Sequence, residues 1–172
     1  DRIFDVYREH GVRPYAQIGF MPKDLSVKPN PYQHSWTPEA AYDQIYTGWA
    51  YPPKDYARWA ELVFQWTKHC LERYGRSEVE SWYWEVWNEP CWSTFFSGTP
   101  EEYAGLLKAA YRAVKRADPE AVVIGGCTDH LKEVTESAFE MAEFAVMKTA
   151  LPLPNICRVG SSVAVVTRGG VT

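Results

Sequence analysis

Three short segments of this chain are dominated by apolar and aromatic residues, and a helical pattern precedes each of them. The segments are residues 13–20, 81–87 and 121–124. Strands that are apolar on both faces are typical of parallel sheets covered by helices. The alternation of helix and strand therefore predicts consecutive βα units and an α/β fold with a parallel sheet.

The helical patterns have recognisable ends. After Lys54, apolar residues recur at steps of three and four until Gly75, a residue that favours a helix end. Thr-Pro-Glu-Glu at residues 99–102 is a capping box with proline at the first helical position, and Asp-Pro at residues 118–119 ends that helix near Ala117. Weaker patterns predict helices over residues 1–10 and 132–147. The repeating positions of the first helix are Tyr56, Trp59, Val63, Trp66, Cys70 and Tyr74.

This order of elements fits both a doubly wound sheet and a (β/α) barrel, and the local pattern does not choose between them. A dinucleotide-binding sheet would carry Gly-x-Gly-x-x-Gly after a strand, and none of the three strands has it. The pair Gly125-Gly126 is a weak signal, and no phosphate-binding loop of the Walker type is present. A nucleotide-binding domain is therefore a remote alternative.

Composition excludes several classes of partner. The chain has 172 residues, of which 18 are basic and 22 acidic, and its net charge of −4 is spread without runs of like charge. This distribution argues against a nucleic-acid partner. No apolar run approaches the roughly 20 residues that span a bilayer, so we expect a soluble chain with no membrane segment. The first residue is Asp1 within a helical pattern, so we expect the native start to be missing; compartment and oligomeric state stay open.

The cysteines and histidines do not predict a metal site. The four cysteines form no Cys-x-x-Cys pair and have no metal-ligand spacing with the four histidines. We therefore predict no metal and no cofactor. Buried free thiols are the favoured interpretation, and a disulfide between Cys91 and Cys127 is the alternative. The remaining two cysteines are Cys70 and Cys157.

Two glutamates in the second predicted strand differ in position. By alternation, Glu85, Trp87 and Glu89 lie on one face. Glu85 is in the middle of the strand, where a carboxylate must be satisfied internally, whereas Glu89 lies at the carboxyl end, where α/β folds place reactive groups. Pro90 favours an extended backbone at Glu89. Glu89 is therefore the candidate general acid, and the alternative is an exposed, idle residue in a turn.

Aromatic residues supply candidate sugar contacts. We expect the rings around Glu89 to desolvate its carboxylate and favour the protonated form, and they could also stack on a sugar. The long loop of residues 21–53 carries Trp36 and Trp49, which are better placed for binding than for a core. Trp59 and Trp66 are expected to fill the core. The rings near Glu89 are those of Trp87, Trp92, Phe95 and Phe96, the loop also holds Tyr51, and its His34 is expected to be a surface residue.

Four motifs carry a resemblance to a known family. They are Ile-Gly-Phe-Met-Pro at 18–22, Pro-Pro-Lys-Asp-Tyr at 52–56, Trp-Tyr-Trp-Glu-Val-Trp-Asn-Glu-Pro at 82–90, and Val-Ile-Gly-Gly at 123–126. In order and spacing they resemble glycoside hydrolase family 39, which contains β-xylosidases and α-L-iduronidases. The resemblance implies a (β/α)₈ barrel that cleaves β-xylosides or related glycosides with retention, with a carbohydrate as substrate. It also implies Glu89 as acid/base and Asn88 as a ligand of the sugar 2-hydroxyl.

The resemblance also implies that the chain is a fragment. It would hold barrel strands three to five in residues 1–150, whereas a whole barrel of this type needs about 250 residues. The family's nucleophile lies on a later strand, and no matching glutamate exists here, so we expect the isolated chain to be inactive. Residues 151–172 depart from the family and are expected to form a divergent tail that is not native barrel sequence. Cys91 and Cys127 are smaller departures. A non-catalytic carbohydrate-binding or scaffold domain is the alternative function.

Overall fold

The computed structural model describes residues 1–30, 48–90 and 92–125, together with the backbone of residues 166 and 167. Within these ranges, four strands form one sheet in the order β1-β2-β3-β4. The strands are β1 (Tyr15–Ile18), β2 (Tyr83–Val86), β3 (Val122–Gly125) and β4 (Val166–Thr167). The helices are α1 (Arg2–Glu9), α2 (Tyr56–Tyr74), α3 (Arg76–Val79) and α4 (Pro100–Ala117), and short 3-10 turns cover Lys23–Leu25 and Gly48–Ala50.

The three predicted strands pair in parallel, as expected. Ile18 of β1 is opposite Val86 of β2, which is in turn opposite Gly125 of β3. Helix α2 connects β1 to β2 and helix α4 connects β2 to β3, so the predicted βα units are confirmed. The predicted helix over residues 132–147 lies outside the described residues.

The fourth strand runs in the opposite direction. Val166 and Thr167 pair antiparallel with Ile124 and Val123 on the far edge of β3. These two residues belong to the segment that the sequence suggested as a divergent tail. The boundary between that segment and residues 1–150 stays a prediction.

One face of the sheet is covered by helices. Side chains of alternate strand residues point toward α2 and α4, and Trp84 and Val86 of β2 are fully buried there. Trp59 is 2% exposed and Trp66 packs against the same core, so both tryptophans fill the core as predicted. The other buried members from the strands and the two helices are Ala16, Ile18, Val123, Val63, Cys70, Tyr74, Tyr103, Leu106, Ala110, Ala113 and Val114.

Strand order and helix placement bear on the two topologies that the sequence left open. Helices α2 and α4 contact each other and share one core, so both lie on the same face of β1-β2-β3. A doubly wound sheet would place helices on both faces and reverse the strand order at a switch point. Neighbouring strands in chain order with helices on one side also occur in consecutive (β/α)-barrel units. The described residues show an α/β fold with three parallel strands and with α2 and α4 on one face of the sheet.

Local signals explain where the helices begin and end. The Asp55 carboxylate accepts hydrogen bonds from the backbone N–H groups of Ala57 and Arg58 at 2.9 and 3.0 Å, which caps α2. Gly75 ends that helix at φ 87°, a conformation that glycine adopts without a steric penalty. At α4 the predicted capping box is present, with hydrogen bonds in both directions between Thr99 and Glu102.

Replacing the α2 cap should weaken the fold measurably. Asp55→Ala removes the acceptor for two helix N–H groups and should lower the free energy of unfolding by about 1 kcal/mol in urea denaturation. Asp55→Asn is the matched control, because its side-chain oxygen still accepts these hydrogen bonds and it should lose much less. Equal losses in the two variants would contradict the assigned cap.

Apolar side chains remain exposed outside this core. Helix α1 has no buried residue, and its Ile3 is 67% exposed and its Val6 49% exposed. On the sheet face away from α2 and α4, Tyr15 and Tyr83 stack on each other with ring centroids 5.9 Å apart. Exposed apolar surface beside an edge strand favours association between chains.

We therefore expect the isolated chain to self-associate. Sedimentation velocity over a range of protein concentrations should show a sedimentation coefficient that rises with concentration, because more chains then cover one another's apolar surface. The double variant Ile3→Lys, Val6→Lys should shift the distribution toward the monomer. A single monomeric species that melts cooperatively at every concentration would overturn this prediction.

Candidate active site

The parallel register brings the carboxyl ends of β1, β2 and β3 to the same edge of the sheet. Phe20 follows β1 by two residues, and the segment Trp87–Pro90 follows β2 directly. Backbone hydrogen bonding continues past the strands, since the N–H of Trp87 donates to the carbonyl oxygen of Ile18 at 2.9 Å. The end of β2 is therefore held directly beside the end of β1, at the edge where α/β folds carry reactive groups.

The backbone turns sharply at the end of β2. Trp87 has φ 70° and Glu89 has φ 43°, and these are the two non-glycine residues with positive φ in the described part of the chain. Such conformations cost about 1–3 kcal/mol each and persist only where the surrounding structure holds them. The expectation that Pro90 keeps Glu89 extended is therefore wrong, because Glu89 adopts the left-handed region.

This turn directs the Trp87 side chain into the core between the sheet and the helices α2 and α4. Its side chain is fully buried, and its indole Nε1–H donates to the carbonyl oxygen of Phe95 at 2.9 Å. Its ring packs edge to face against Phe20 and Phe96, both at 5.5 Å between centroids, and against Trp59 at 6.5 Å. The predicted alternation, which placed Trp87 on the same face as Glu85 and Glu89, is wrong because a positive φ reverses the direction of the side chain.

Glu89 lies at the rim of this edge with an exposed side chain. Its carbonyl oxygen accepts from the N–H of Trp92 at 3.0 Å, which begins a turn that continues to Phe95 and Phe96. Phe96 is buried in the core together with Trp87. The expected desolvation of the Glu89 carboxylate by these rings is therefore not provided by the described residues.

The other candidate binding residues fall in different environments. Asn88 is half-buried between Trp87 and Glu89. Trp92 is 56% exposed one short turn beyond Glu89. Trp49 is half-buried in the 3-10 turn that ends the long loop, and its carbonyl oxygen accepts from the N–H of Met21 at 2.9 Å. Trp36, like His34, lies outside the described residues.

Phe20 is a residue of this edge that sequence reasoning missed. It is 39% exposed, and its ring stacks on Trp49 at 6.0 Å and on Phe95 at 6.4 Å between centroids. Three segments that are distant in sequence thus contribute one ring each to an aromatic cluster, defined here as Phe20, Trp49 and Phe95. Its position as the last residue of a predicted strand was the signal that could have revealed it.

Glu85 is satisfied within the sheet, as predicted. It is half-buried in the middle of β2, and Gln17, its register partner on β1, donates from Nε2 to its carboxylate at 2.7 Å. Burial raises the pKa of the Glu85 carboxyl, the Gln17 hydrogen bond opposes that effect, and the negative charge of Glu89 raises the pKa further.

The possible metal ligands and the thiol of the described residues lie in the following environments. No group of three or more histidine, cysteine or acidic side chains could hold a metal ion among residues 1–30, 48–90 and 92–125. Cys70 is a free cysteine inside the core, where burial raises the pKa of its thiol to about 11. Cys91, Cys127 and Cys157 fall outside the described residues. No described helix is long and apolar enough to cross a membrane.

Comparison with known proteins identifies the family. The model of "Glycosyl hydrolases family 39" matches residues 1–162 of the 172. The chain belongs to this family. The family 39 match includes β1, β2 and β3 together with the turn that carries Glu89.

Curated relatives and solved structures agree with this family 39 assignment. A β-xylosidase from Caldicellulosiruptor saccharolyticus is 38% identical over 129 residues, covering 74% of this chain and 24% of the relative. One from Geobacillus stearothermophilus is 39% identical over 129 residues, covering 73% and 23%. A monomeric β-xylosidase from Caulobacter crescentus matches in structure with a TM-score of 0.58 at 28% identity, covering 72% and 23%. The GH39 enzyme from Xanthomonas axonopodis pv. citri matches with a TM-score of 0.58 at 27% identity, covering 72% and 22%.

The chain spans about a quarter of the length of the curated relatives it matches. The activity, the substrate and the partners of the whole protein are therefore proposed for this chain rather than shown.

Gly19 packs closely against Trp87, so one added methyl group at Gly19 should destabilise the fold. A Cβ at Gly19 would lie 3.3 Å from Trp87 Cε3, so Gly19→Ala should lower the free energy of unfolding by about 1–3 kcal/mol in urea denaturation. Gly125→Ala is the matched control at the equivalent end of β3, since its Cβ would meet Leu107 at an ordinary 3.5 Å. Equal stability of Gly19→Ala and the unmodified chain would contradict this packing.

Proposed function

We propose that this chain is part of a retaining glycoside hydrolase that acts on β-xylosides or related O-glycosides, with Glu89 as its general acid and base. The observation that carries the proposal is the placement of Glu89 on a turned backbone at the carboxyl end of β2, in a chain of family 39. The relatives named β-xylosidase support the substrate class. The complete protein would form a (β/α)₈ barrel in which residues 1–150 supply strands three to five.

The proposed reaction uses two carboxyl groups, one as general acid and base and the other as nucleophile. Glu89 would protonate the glycosidic oxygen as the bond to the leaving group breaks, while a second carboxylate about 5 Å away forms a covalent bond with the sugar. Glu89, now a carboxylate, would then take a proton from the water that releases the sugar. Glu85 is an unsuitable nucleophile, because it lies on the same strand as Glu89 and is held by Gln17. The nucleophile would come from another part of the complete protein.

The residues around Glu89 would hold the sugar. Asn88 would donate a hydrogen bond to the 2-hydroxyl, a contact that strengthens in the transition state. Trp49, Trp36 and Trp92 would provide aromatic surface for the apolar face of the ring. Support comes from the exposure of Trp92 and from the location of Trp49 at the same sheet edge as Glu89.

A non-catalytic carbohydrate-binding or scaffold domain is the second candidate. The exposure of Glu89, together with an aromatic cluster at the same edge of the sheet, favours this alternative, because a binding surface needs rings and hydrogen-bond acceptors but no second carboxylate.

The decisive substitution is Glu89→Gln in the complete protein that contains this chain. Loss of the general acid should lower kcat/KM for an alkyl β-xyloside by a factor of about 10²–10⁴, because a poor leaving group needs its proton. Added azide, which attacks the glycosyl intermediate without a general base, should partly restore turnover of an aryl β-xyloside and yield a glycosyl azide.

The matched control is Glu72→Gln, which removes the same charge from the exposed surface of α2 and should leave turnover unchanged. Full activity of Glu89→Gln would reject the role of Glu89. Binding of xylose or xylo-oligosaccharides by the unmodified complete protein, without turnover, would establish the carbohydrate-binding alternative.

A further inference from the structure

The segment that carries Glu89 is held at both ends by one residue, Trp87. The backbone N–H of Trp87 donates to the carbonyl oxygen of Ile18 at 2.9 Å, which holds the start of the segment against the end of β1. Its indole Nε1–H donates to the carbonyl oxygen of Phe95 at 2.9 Å, which holds the end of the segment. The Trp87 side chain therefore closes the backbone from Trp87 to Phe95 into a loop, and Glu89 lies within that loop.

A series of hydrogen bonds connects the Trp87 indole to the backbone of Glu89. Phe95, whose carbonyl oxygen accepts from the indole, donates its own N–H to the carbonyl oxygen of Trp92 at 2.8 Å. The N–H of Trp92 donates in turn to the carbonyl oxygen of Glu89 at 3.0 Å. Loss of the first hydrogen bond in this series should therefore loosen the peptide groups that determine where Glu89 lies.

The Trp87 side chain is a rigid anchor for this series. It is fully buried, and its ring contacts Phe20 and Phe96 edge to face at 5.5 Å and Trp59 at 6.5 Å between centroids. On the side of β1, a Cβ at Gly19 would lie 3.3 Å from its Cε3 atom. Side chains packed this closely in a core keep one rotamer, so the indole N–H has a fixed position.

Core packing alone does not account for the hydrogen bond of Trp87. The indole nitrogens of Trp59 and Trp84 are also buried, and neither has a hydrogen-bond partner among the described residues. The core thus holds these two rings by packing, whereas the Trp87 ring is bonded in addition to the segment that carries Glu89. This difference assigns to the Trp87 N–H a role outside the core.

We propose that Trp87 is a positioning residue for Glu89: its indole hydrogen bond to Phe95 keeps the turned segment in the geometry from which the Glu89 carboxyl group reaches the leaving oxygen. This inference rests on the proposed role of Glu89 as general acid. Proton transfer requires the acid to lie within hydrogen-bond distance of the oxygen that it protonates. A displacement of about 1 Å can lower the rate of such a step about a hundredfold, so the step that uses the acid should depend on this hydrogen bond.

The test is Trp87→Phe in the complete protein, which keeps an aromatic ring in the core and removes the indole N–H. Values of kcat/KM are compared for an alkyl β-xyloside, whose leaving group needs a proton, and for a dinitrophenyl β-xyloside, whose leaving group does not. The ratio of the alkyl value to the dinitrophenyl value should fall about tenfold to a hundredfold. Both values come from one preparation, so a smaller folded fraction would leave the ratio unchanged.

The matched control is Trp84→Phe. Trp84 is as fully buried as Trp87, and the same truncation removes an indole N–H that has no partner within the described part of the chain. This control should leave the ratio of the two kcat/KM values unchanged. If Trp87→Phe does not fold, replacement of Trp87 by benzothienylalanine gives the same comparison, because this residue keeps both rings and has sulfur in place of the N–H group.

Hydrogen exchange of the complete protein, measured by mass spectrometry on peptides from residues 88–97, is independent of turnover. These peptides should exchange faster in Trp87→Phe and at the unmodified rate in Trp84→Phe. An unchanged exchange rate or an unchanged ratio of kcat/KM values in Trp87→Phe would overturn the inference, and inactivity of Glu89→Gln on the alkyl β-xyloside would then leave the proposed function intact. Full activity of Glu89→Gln would overturn both.

Discussion

The parallel hydrogen-bonded register of β1, β2 and β3 determines where the other features of the site lie. Because Ile18, Val86 and Gly125 are aligned across the sheet, the segments that follow them emerge at one edge. Burial of alternate strand side chains against α2 and α4 keeps this register, since a slip of one residue would send Trp84 to the opposite face. The position of Glu89 is thus a consequence of core packing on the other side of the sheet.

The reversed side-chain direction at Trp87 links the core to the sheet edge that carries Glu89. A tryptophan that follows strand alternation would have lain on the same face of the sheet as Glu85. Its positive φ instead places the indole among Trp59, Phe20 and Phe96, and a hydrogen bond to Phe95 holds it there. The Trp87 ring therefore packs against Phe20 and stabilises the aromatic cluster to which Phe20 belongs. Strain of this kind is commonly found where a fold holds functional groups in place.

Structural features that depend on residues close together in the sequence could be predicted from it. Features that depend on tertiary contacts between distant segments could not. The end of α2 at Gly75, the capping box at residues 99–102 and the parallel βα order depend on neighbouring residues and on hydrophobic periodicity, and the structure confirms them. Motif resemblance also led to the family. The direction of Trp87 was mispredicted because alternation assumes an extended backbone. Phe20 was overlooked because its partners, Trp49 and Phe95, come from distant loops that the sequence does not relate to one another.

The antiparallel pairing of β4 has a consequence for assembly. Consecutive units of a (β/α) barrel require every new strand to add in the same direction as the last, yet the residues beside β3 run the opposite way. A parallel strand could join at this side only by competing with the chain's own segment for the same backbone groups of Val123 and Ile124. In the described sheet, β1 is the edge at which a further parallel strand can pair without such an exchange, so strand six of the proposed barrel would have to displace β4.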